Sequence, residues 1–258
     1  MTALSTLHTP AADQSTTQRC SICQGMEPEL HRQLQRLGRI KRYAAGEIIV
    51  GEEEEAPFVG TVTSGVLRMQ KTLYDGRQLI VGLLMPSDMF GRVFSSTSNV
   101  SIEAATDVTL CCYSRAGFEI LLSQFPALEH RMLLSMLDEL ESAQNWMLLL
   151  GCQSVTERIA TFLLILRRRS AKFPPDSLQC LGNSVTIPIS RRDMAAYLGT
   201  TVESISRSIQ EMARHRVLSI INPQHFRILD ERRLIELSGR EDPEMKLSFP
   251  VERMLRTA

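Results

Sequence analysis

The chain has 258 residues, of which 43% are hydrophobic, and its formal net charge is zero. This length and composition allow two packed domains, while six cysteines spread over the whole chain exclude a small disulfide-stapled scaffold. No apolar run or signal peptide indicates a membrane, so we expect a cytoplasmic protein without membrane contact. Residues 1–150 hold 12 Lys and Arg against 17 Asp and Glu, whereas the remainder holds 17 against 12, which makes the second part basic.

Residues 1–19 are polar and without periodicity, which predicts a disordered lead-in. From residue 20 to 125, short β-prone runs punctuated by glycines predict an antiparallel β-roll. The segment Tyr74-Asp75-Gly76-Arg77 fits a hairpin turn between two of these strands. The runs of strand length lie at 47–50, 58–63, 66–72 and 78–84.

A long helix is predicted for residues 126–153. Its apolar residues recur at alternating intervals of three and four, which is the spacing of a heptad seam. Such a seam can pack within its own domain or pair two copies of a chain. Because the segment 190–216 that follows it has the length and periodicity of a helix-turn-helix, we expect a dimerisation helix. The seam consists of Leu133, Met136, Leu140, Ala143, Met147 and Leu150.

Residues 154–240 are predicted to form a winged helix-turn-helix domain. Ser190 suits the N-cap of a first helix, Gly199 lies where that helix must end and turn, and a second helix starts near Thr201. The run 217–229 then predicts two short strands around an Asn-Pro turn, the pattern of a wing.

The second of these helices has two distinct faces. Ile205, Ile209 and Met212 recur at helical spacing and can pack inward, which leaves Glu203, Ser206 and Arg207 together on the outside. Arg can donate to guanine, Glu can accept from cytosine, and Ser can serve either partner, so this triplet suits base edges. The side chains expected to contact the rest of the DNA, chiefly its phosphates, are Thr201, Arg191 and Arg192, with Arg214, His215 and Arg216 at the far helix end.

The order of these parts resembles the CRP/FNR superfamily of bacterial transcription regulators. VESISR at 202–207 is similar to the recognition-helix pattern of the FNR branch, and WMLLLG at 146–151 and ERIATFLL at 157–164 also resemble that branch, which includes the FnrL and FixK regulators. The resemblance implies an α+β fold of a cyclic-nucleotide-binding-like β-roll at 20–125 that serves as the sensory domain, a dimerisation helix and a winged helix-turn-helix. It also implies a homodimer that binds double-stranded DNA at inverted TTGAT-type half-sites and works with RNA polymerase.

Cyclic-AMP-binding members hold the nucleotide phosphate with a Gly-Glu pair and an Arg-Ser pair. This chain has Gly91-Arg92 at the first place and Ser101-Ile102-Glu103 near the second. A carboxylate at Glu103 would repel a phosphate, because buried anions need charge-assisted donors. We therefore expect no cyclic nucleotide.

The FNR branch instead holds an iron–sulfur cluster with N-terminal cysteines and one more at the end of the roll. Here Cys20 and Cys23 form a C-x-x-C, and Cys111 and Cys112 lie where the distant ligand would be. The resemblance thus implies oxygen sensing through a cluster of the [4Fe-4S] type. The family usually has three or more N-terminal cysteines, whereas this chain has two. Neighbours on a strand also point to opposite faces, so Cys111 and Cys112 can both ligate only at a strand end or bulge.

Other interpretations of the thiols stay open. A cluster-free regulator could be controlled by thiol oxidation or by its abundance, its cysteines could merely pack, and zinc also accepts four thiolates. Cys152 is expected at a helix end and Cys180 in a loop. We expect no enzyme, because the C-x-x-C precedes no βαβ pattern and no nucleotide-binding glycine loop is present. An adaptor dimer is the remaining alternative. The tail at 241–258 indicates no role.

Overall fold

The computed structural model describes residues 27–172 and 183–239. The predicted lead-in, Cys20, Cys23, Cys180 and the tail at 241–258 lie outside the described residues. The chain divides into two compact units. One contains the described residues up to Gln70 together with Leu83–Ser135, and the other contains Lys71–Gly82 and the residues from Met136 onward.

Eight strands form two four-stranded sheets. In chain order they are β1 (Arg39–Tyr43), β2 (Ile48–Val50), β3 (Phe58–Ser64), β4 (Leu67–Thr72), β5 (Gln78–Leu84), β6 (Met89–Phe90), β7 (Ser101–Ala104) and β8 (Val108–Ser114). One sheet has the order β1-β8-β3-β6 and the other the order β2-β7-β4-β5. The pairings of β8 with β1 and β3, and of β7 with β2 and β4, are antiparallel, as the predicted roll requires.

Both sheets contribute one face to a shared apolar core. Leu67, Ile102 and Ala104 enter it from one sheet, and Leu110 and Cys112 enter it from the other. Strands alternate their side chains between two faces, so residues between these positions point away from the core. The Leu73 N–H donates to the Arg77 carbonyl oxygen at 2.9 Å, and the Gly76 N–H donates to the Leu73 carbonyl oxygen at 2.8 Å. These two hydrogen bonds confirm the predicted turn at 74–77.

In the described chain up to residue 153 the helices are α1 (Pro28–Leu37), α2 (Arg115–Gln124) and α3 (Pro126–Cys152). Ser114 caps α2 by accepting a hydrogen bond from the backbone N–H of Gly117 at 3.2 Å. Helix α3 has 27 residues and ends one residue before the predicted boundary.

The predicted seam on α3 is open to solvent in the single chain. Leu133, Leu140 and Met147 are 54%, 56% and 64% exposed, and Met136 is 45% exposed. Ala143 is exposed as well, and Leu150 is partly buried. Single exposed leucines are ordinary, but a periodic row of them along one helix face marks a surface that another body covers.

The second unit continues with α4 (Val155–Lys172), β9 (Ser184–Thr186), α5 (Arg191–Leu198), α6 (Val202–Arg214), β10 (Leu218–Ile220), β11 (His225–Ile228) and α7 (Glu231–Leu237). The three strands form an antiparallel sheet of order β10-β11-β9. The strands β10 and β11 confirm the predicted wing, and the predicted α+β fold is confirmed with it. Among the described helices, none combines the length and the apolarity that a bilayer crossing requires.

Gly65 links β3 to β4 in a conformation that side chains disfavour. Its φ is +82°, and an added Cβ would lie 2.2 Å from the carbonyl oxygen of Asp107. We expect Gly65→Ala to lower the free energy of unfolding by about 1–3 kcal/mol, measured by urea denaturation. The control is Gly151→Ala, where a Cβ meets nothing within 4 Å and helix propensity favours Ala. An equal unfolding midpoint for Gly65→Ala and the parent would contradict the prediction.

Candidate nucleic-acid interface

Helix α5 is fixed at both ends by local chemistry. The Ser190 hydroxyl accepts from the Asp193 N–H at 3.0 Å and donates to the Asp193 carboxylate at 2.7 Å, which caps the first turn. After Leu198 the chain turns at Gly199, whose φ of +60° is left-handed. A residue without a Cβ is the ordinary solution for such a C-terminal turn.

Helix α6 begins at the predicted place. The Thr201 hydroxyl accepts from the Ser204 N–H at 3.2 Å, so Thr201 is its N-cap. Ile205, Ile209 and Met212 are at most 2% exposed. Their burial fixes which side of the helix faces the protein.

The opposite side of α6 carries the predicted triplet. Glu203 and Arg207 are exposed and Ser206 is partly buried. The Glu203 pKa is lowered by its own backbone N–H, by the Thr201 hydroxyl and by the charge of Arg207. A charged carboxylate, a hydroxyl and a guanidinium therefore share one outward face, which is the arrangement that reads base edges. Their role as readers stays a prediction.

Basic residues flank this face, and most of them are exposed as a phosphate contact requires. Arg192, Arg214 and Arg216 are exposed. Arg191 is partly buried, and its guanidinium lies 5.1 Å from the centroid of the Phe226 ring in the wing. This cation–π contact gives Arg191 a packing role beside its predicted phosphate role.

The wing supplies a candidate that the sequence reasoning missed. The Asn222 side-chain oxygen accepts from the N–H groups of Gln224 and His225, both at 2.9 Å, and so forms the turn. On β11, Arg227 is exposed between buried Phe226 and a buried isoleucine. The two-residue alternation of residues 225–228 is the signal that could have identified Arg227.

The described thiols lie on opposite faces of a continuous strand. Cys111 and Cys112 pair with Thr61 and Gly60 on β3, and no bulge separates the two. Cys112 belongs to the apolar core of the roll, where burial raises its pKa to about 12. A thiol held neutral in this way is a poor metal ligand.

Cys111 faces the other way. It is fully buried, and its thiol donates to the Tyr113 hydroxyl at 3.3 Å. Tyr113 in turn contacts Phe118 on α2, with ring centroids 5.8 Å apart. Within residues 27–172 and 183–239, no group of three or more His, Cys, Asp or Glu side chains could hold a metal ion.

Glu103 has partners within the roll. Opposite it on β4, Arg68 forms an ion pair with its carboxylate, and the Gln70 amide donates to it at 3.0 Å. Glu103 is only 8% exposed. The expected absence of a bound cyclic nucleotide stays a prediction.

Comparison with known proteins places these parts in a family. Residues 157–237 match the Crp-like helix-turn-helix domain, and residues 40–125 match the cyclic nucleotide-binding domain. The transcriptional activator protein FnrL of Cereibacter sphaeroides is 34% identical over 221 residues, which cover 85% of this chain and 88% of that protein. The chain belongs to the CRP/FNR family. The nitrogen fixation regulation protein FixK of Bradyrhizobium diazoefficiens is 34% identical over 202 residues, 78% of this chain and 83% of that protein.

The CRP/FNR fold is also seen in solved structures. FixK2 from Bradyrhizobium japonicum is similar with a TM-score of 0.72 at 29% identity, over 80% of this chain and 99% of that one. The predicted CRP/FNR assignment, in the branch of FnrL and FixK, is confirmed. The chain is a DNA-binding transcription regulator, and its named relatives are regulators rather than enzymes.

The geometry of α6 predicts a sequence-specific role for Arg207. We expect Arg207→Ala to cost about 1–3 kcal/mol of binding to the cognate operator and much less on random DNA, because a base contact is lost. Fluorescence anisotropy with both DNAs measures this difference.

Arg214→Ala provides the contrast. At the exposed end of α6 it should weaken binding to both DNAs equally and reduce the salt dependence by about one phosphate contact. Equal losses on both DNAs for Arg207→Ala would instead make Arg207 a phosphate contact.

The lowered pKa of Glu203 predicts that its base discrimination survives mild acid. A carboxyl with a depressed pKa stays charged until the pH falls below the ordinary value of 4.5. The affinity ratio between the parent operator and one with a changed G·C pair should therefore be the same at about pH 7 and about pH 5. Glu203→Gln, which has no carboxyl to titrate, is the control. A ratio that falls toward pH 5 only in the parent would show that the pKa of Glu203 is not lowered.

Proposed function

We propose that this regulator binds inverted TTGAT-type half-sites as a homodimer and activates transcription together with RNA polymerase. Glu203, Ser206 and Arg207 read the bases in the major groove. The single observation that carries the proposal is the two-sided α6, with one face fully buried and the other presenting this triplet. Tight binding to an inverted TTGAT repeat, compared with the same repeat scrambled, tests it by anisotropy.

The proposed dimer rests on α3. Its exposed apolar row has the spacing of a two-stranded coiled coil, and a second copy of the same helix is self-complementary to it. A twofold dimer presents two α6 helices to successive grooves, as an inverted repeat requires.

We further propose that redox control enters through Cys20, Cys23 and Cys111. Of the two thiols on β8, Cys111 is the better candidate because it lies on the face turned away from the core of the two sheets. It is fully buried there beside Tyr113, so a metal or an oxidant reaches it only when its cover opens. A bound iron–sulfur cluster would supply an oxygen-labile group held by thiolates. A cluster held by Cys20, Cys23, Cys111 and Cys112 together does not fit, because the last two point to opposite faces. A cluster would need a fourth ligand other than Cys112.

That mismatch favours a second candidate, a cluster-free regulator of the FixK kind whose thiols respond to oxidants. Anaerobic purification with iron and sulfide analysis separates the two. Stoichiometric iron and sulfide, lost in air together with operator binding, support the cluster. A metal-free protein whose DNA binding falls with peroxide, and not in Cys111→Ser, supports the thiol switch. Zinc in place of iron would overturn both. A protein that binds no operator in either redox state would instead be a thiol redox enzyme or an adaptor.

The seam predicts the effect of one charge at its centre. Leu140→Glu should convert the dimer to a monomer and reduce operator affinity by at least a hundredfold, because a monomer contacts one half-site at a time. Analytical ultracentrifugation and anisotropy measure the two effects.

Leu134→Glu is the matched control. Leu134 is 41% exposed on the same helix and lies about 120° around it from Leu140, off the seam. The Leu134→Glu variant should remain a dimer and keep the operator affinity of the parent. A dimeric Leu140→Glu protein that binds the operator like the parent would place the interface elsewhere.

A further inference from the structure

One arginine joins the end of α3 to the turn of the helix-turn-helix. The Arg158 guanidinium donates to the carbonyl oxygens of Leu150 and Gln153, both at 2.9 Å. On its other side it donates to the carbonyl oxygens of Leu198 at 2.9 Å and Gly199 at 3.3 Å. One planar side chain therefore holds four carbonyl groups from two segments.

The location of this charge is not explained by its own helix. Arg158 lies in the first turn of α4, where the helix dipole disfavours a cation. Helices α3 and α5, however, both end beside it, and the C-terminal carbonyls of a helix attract a cation. Guanidinium has five donors in a fixed fork, so it can serve both ends at once, whereas a lysine ammonium cannot span them.

An aromatic contact lies at the same junction. Trp146 of α3 stacks on Tyr197 of α5, with ring centroids 4.2 Å apart and an angle of 18° between the planes. Tyr197 also meets Phe162 of α4 edge-on at 5.7 Å. Trp146 and Leu150 further pack against the buried pair Leu149 and Ile165. The C-terminal end of α3 is thus attached to the reading domain both by packing and by Arg158.

We propose that Arg158 is a positioning residue that sets the half-site spacing the dimer accepts. The proposal rests on the proposed function, since it requires two readers on one inverted repeat. Arg158 fixes the turn before α6 to the last turn of the dimerisation helix, so it fixes how far apart two α6 helices lie. Without it each reader still recognises its half-site, but the pair no longer prefers one separation.

The test compares the parent with Arg158→Lys on a series of inverted TTGAT operators whose half-site separation is optimal or altered by one or two base pairs. The parent should strongly prefer one separation. Arg158→Lys should bind that operator about tenfold more weakly and the altered ones almost unchanged, so its preference flattens. Arg168→Lys is the matched control on the same helix, because the Arg168 side chain makes no hydrogen bond or ion pair with any described residue.

Merely destabilising the domain gives a different result. A smaller active fraction weakens binding to every operator by the same factor and keeps the preference, which would overturn the proposal. If the parent itself prefers no separation, the proposed inverted-repeat function fails instead.

The junction also has its own spectroscopic readout, because Trp146 is the single tryptophan of the chain. In Arg158→Lys its emission should shift to the red and be quenched more readily by acrylamide, with unchanged far-ultraviolet circular dichroism and unchanged sedimentation. Identical quenching in the parent and the variant would show that the junction stays closed without the guanidinium, and the proposal would fail.

Discussion

The burial of one face of α6 is the constraint on which the proposed DNA-reading surface depends. Ile205, Ile209 and Met212 are almost fully buried, and each such side chain contributes about 1.5–3 kcal/mol when removed from water. Rotating the helix would expose all three. The outward direction of Glu203 and Arg207 is therefore set by the buried side chains and not by contacts of Glu203 and Arg207 themselves. Their side chains remain free to meet a ligand without weakening the fold.

The same periodicity explains why this part of the molecule could be predicted from the sequence. Helical spacing of apolar residues decides the faces of α3 and α6, and caps such as Ser190 and Thr201 decide where helices begin, so both features are local. Arg158 could not be predicted in this way. Its partners are backbone carbonyls, two of them about 40 residues away, and a carbonyl leaves no trace in the residue type.

The thiols show a second limit of the sequence. Adjacent cysteines on a strand must point to opposite faces, but only the folded roll decides which face is the core. Here Cys112 packs among the core residues, and Cys111 bonds to a tyrosine on the other side. Glu103 shows the same limit. The sequence shows its charge, but its ion pair with Arg68 depends on the register between β4 and β7, which only the folded roll fixes.

The energies available on α3 show why the seam is suited to be the switched element, whichever chemistry the thiols carry. Moving a two-state equilibrium from 1:99 to 99:1 takes about 5.5 kcal/mol of differential stabilisation. A single hydrogen bond contributes about 1 kcal/mol, which is too little by itself. Burying a few leucine-sized side chains such as Leu133, Leu140 and Met147 against a second copy reaches the required range. In the proposed dimer, a small change in the roll would therefore govern DNA binding by altering the packing of this row.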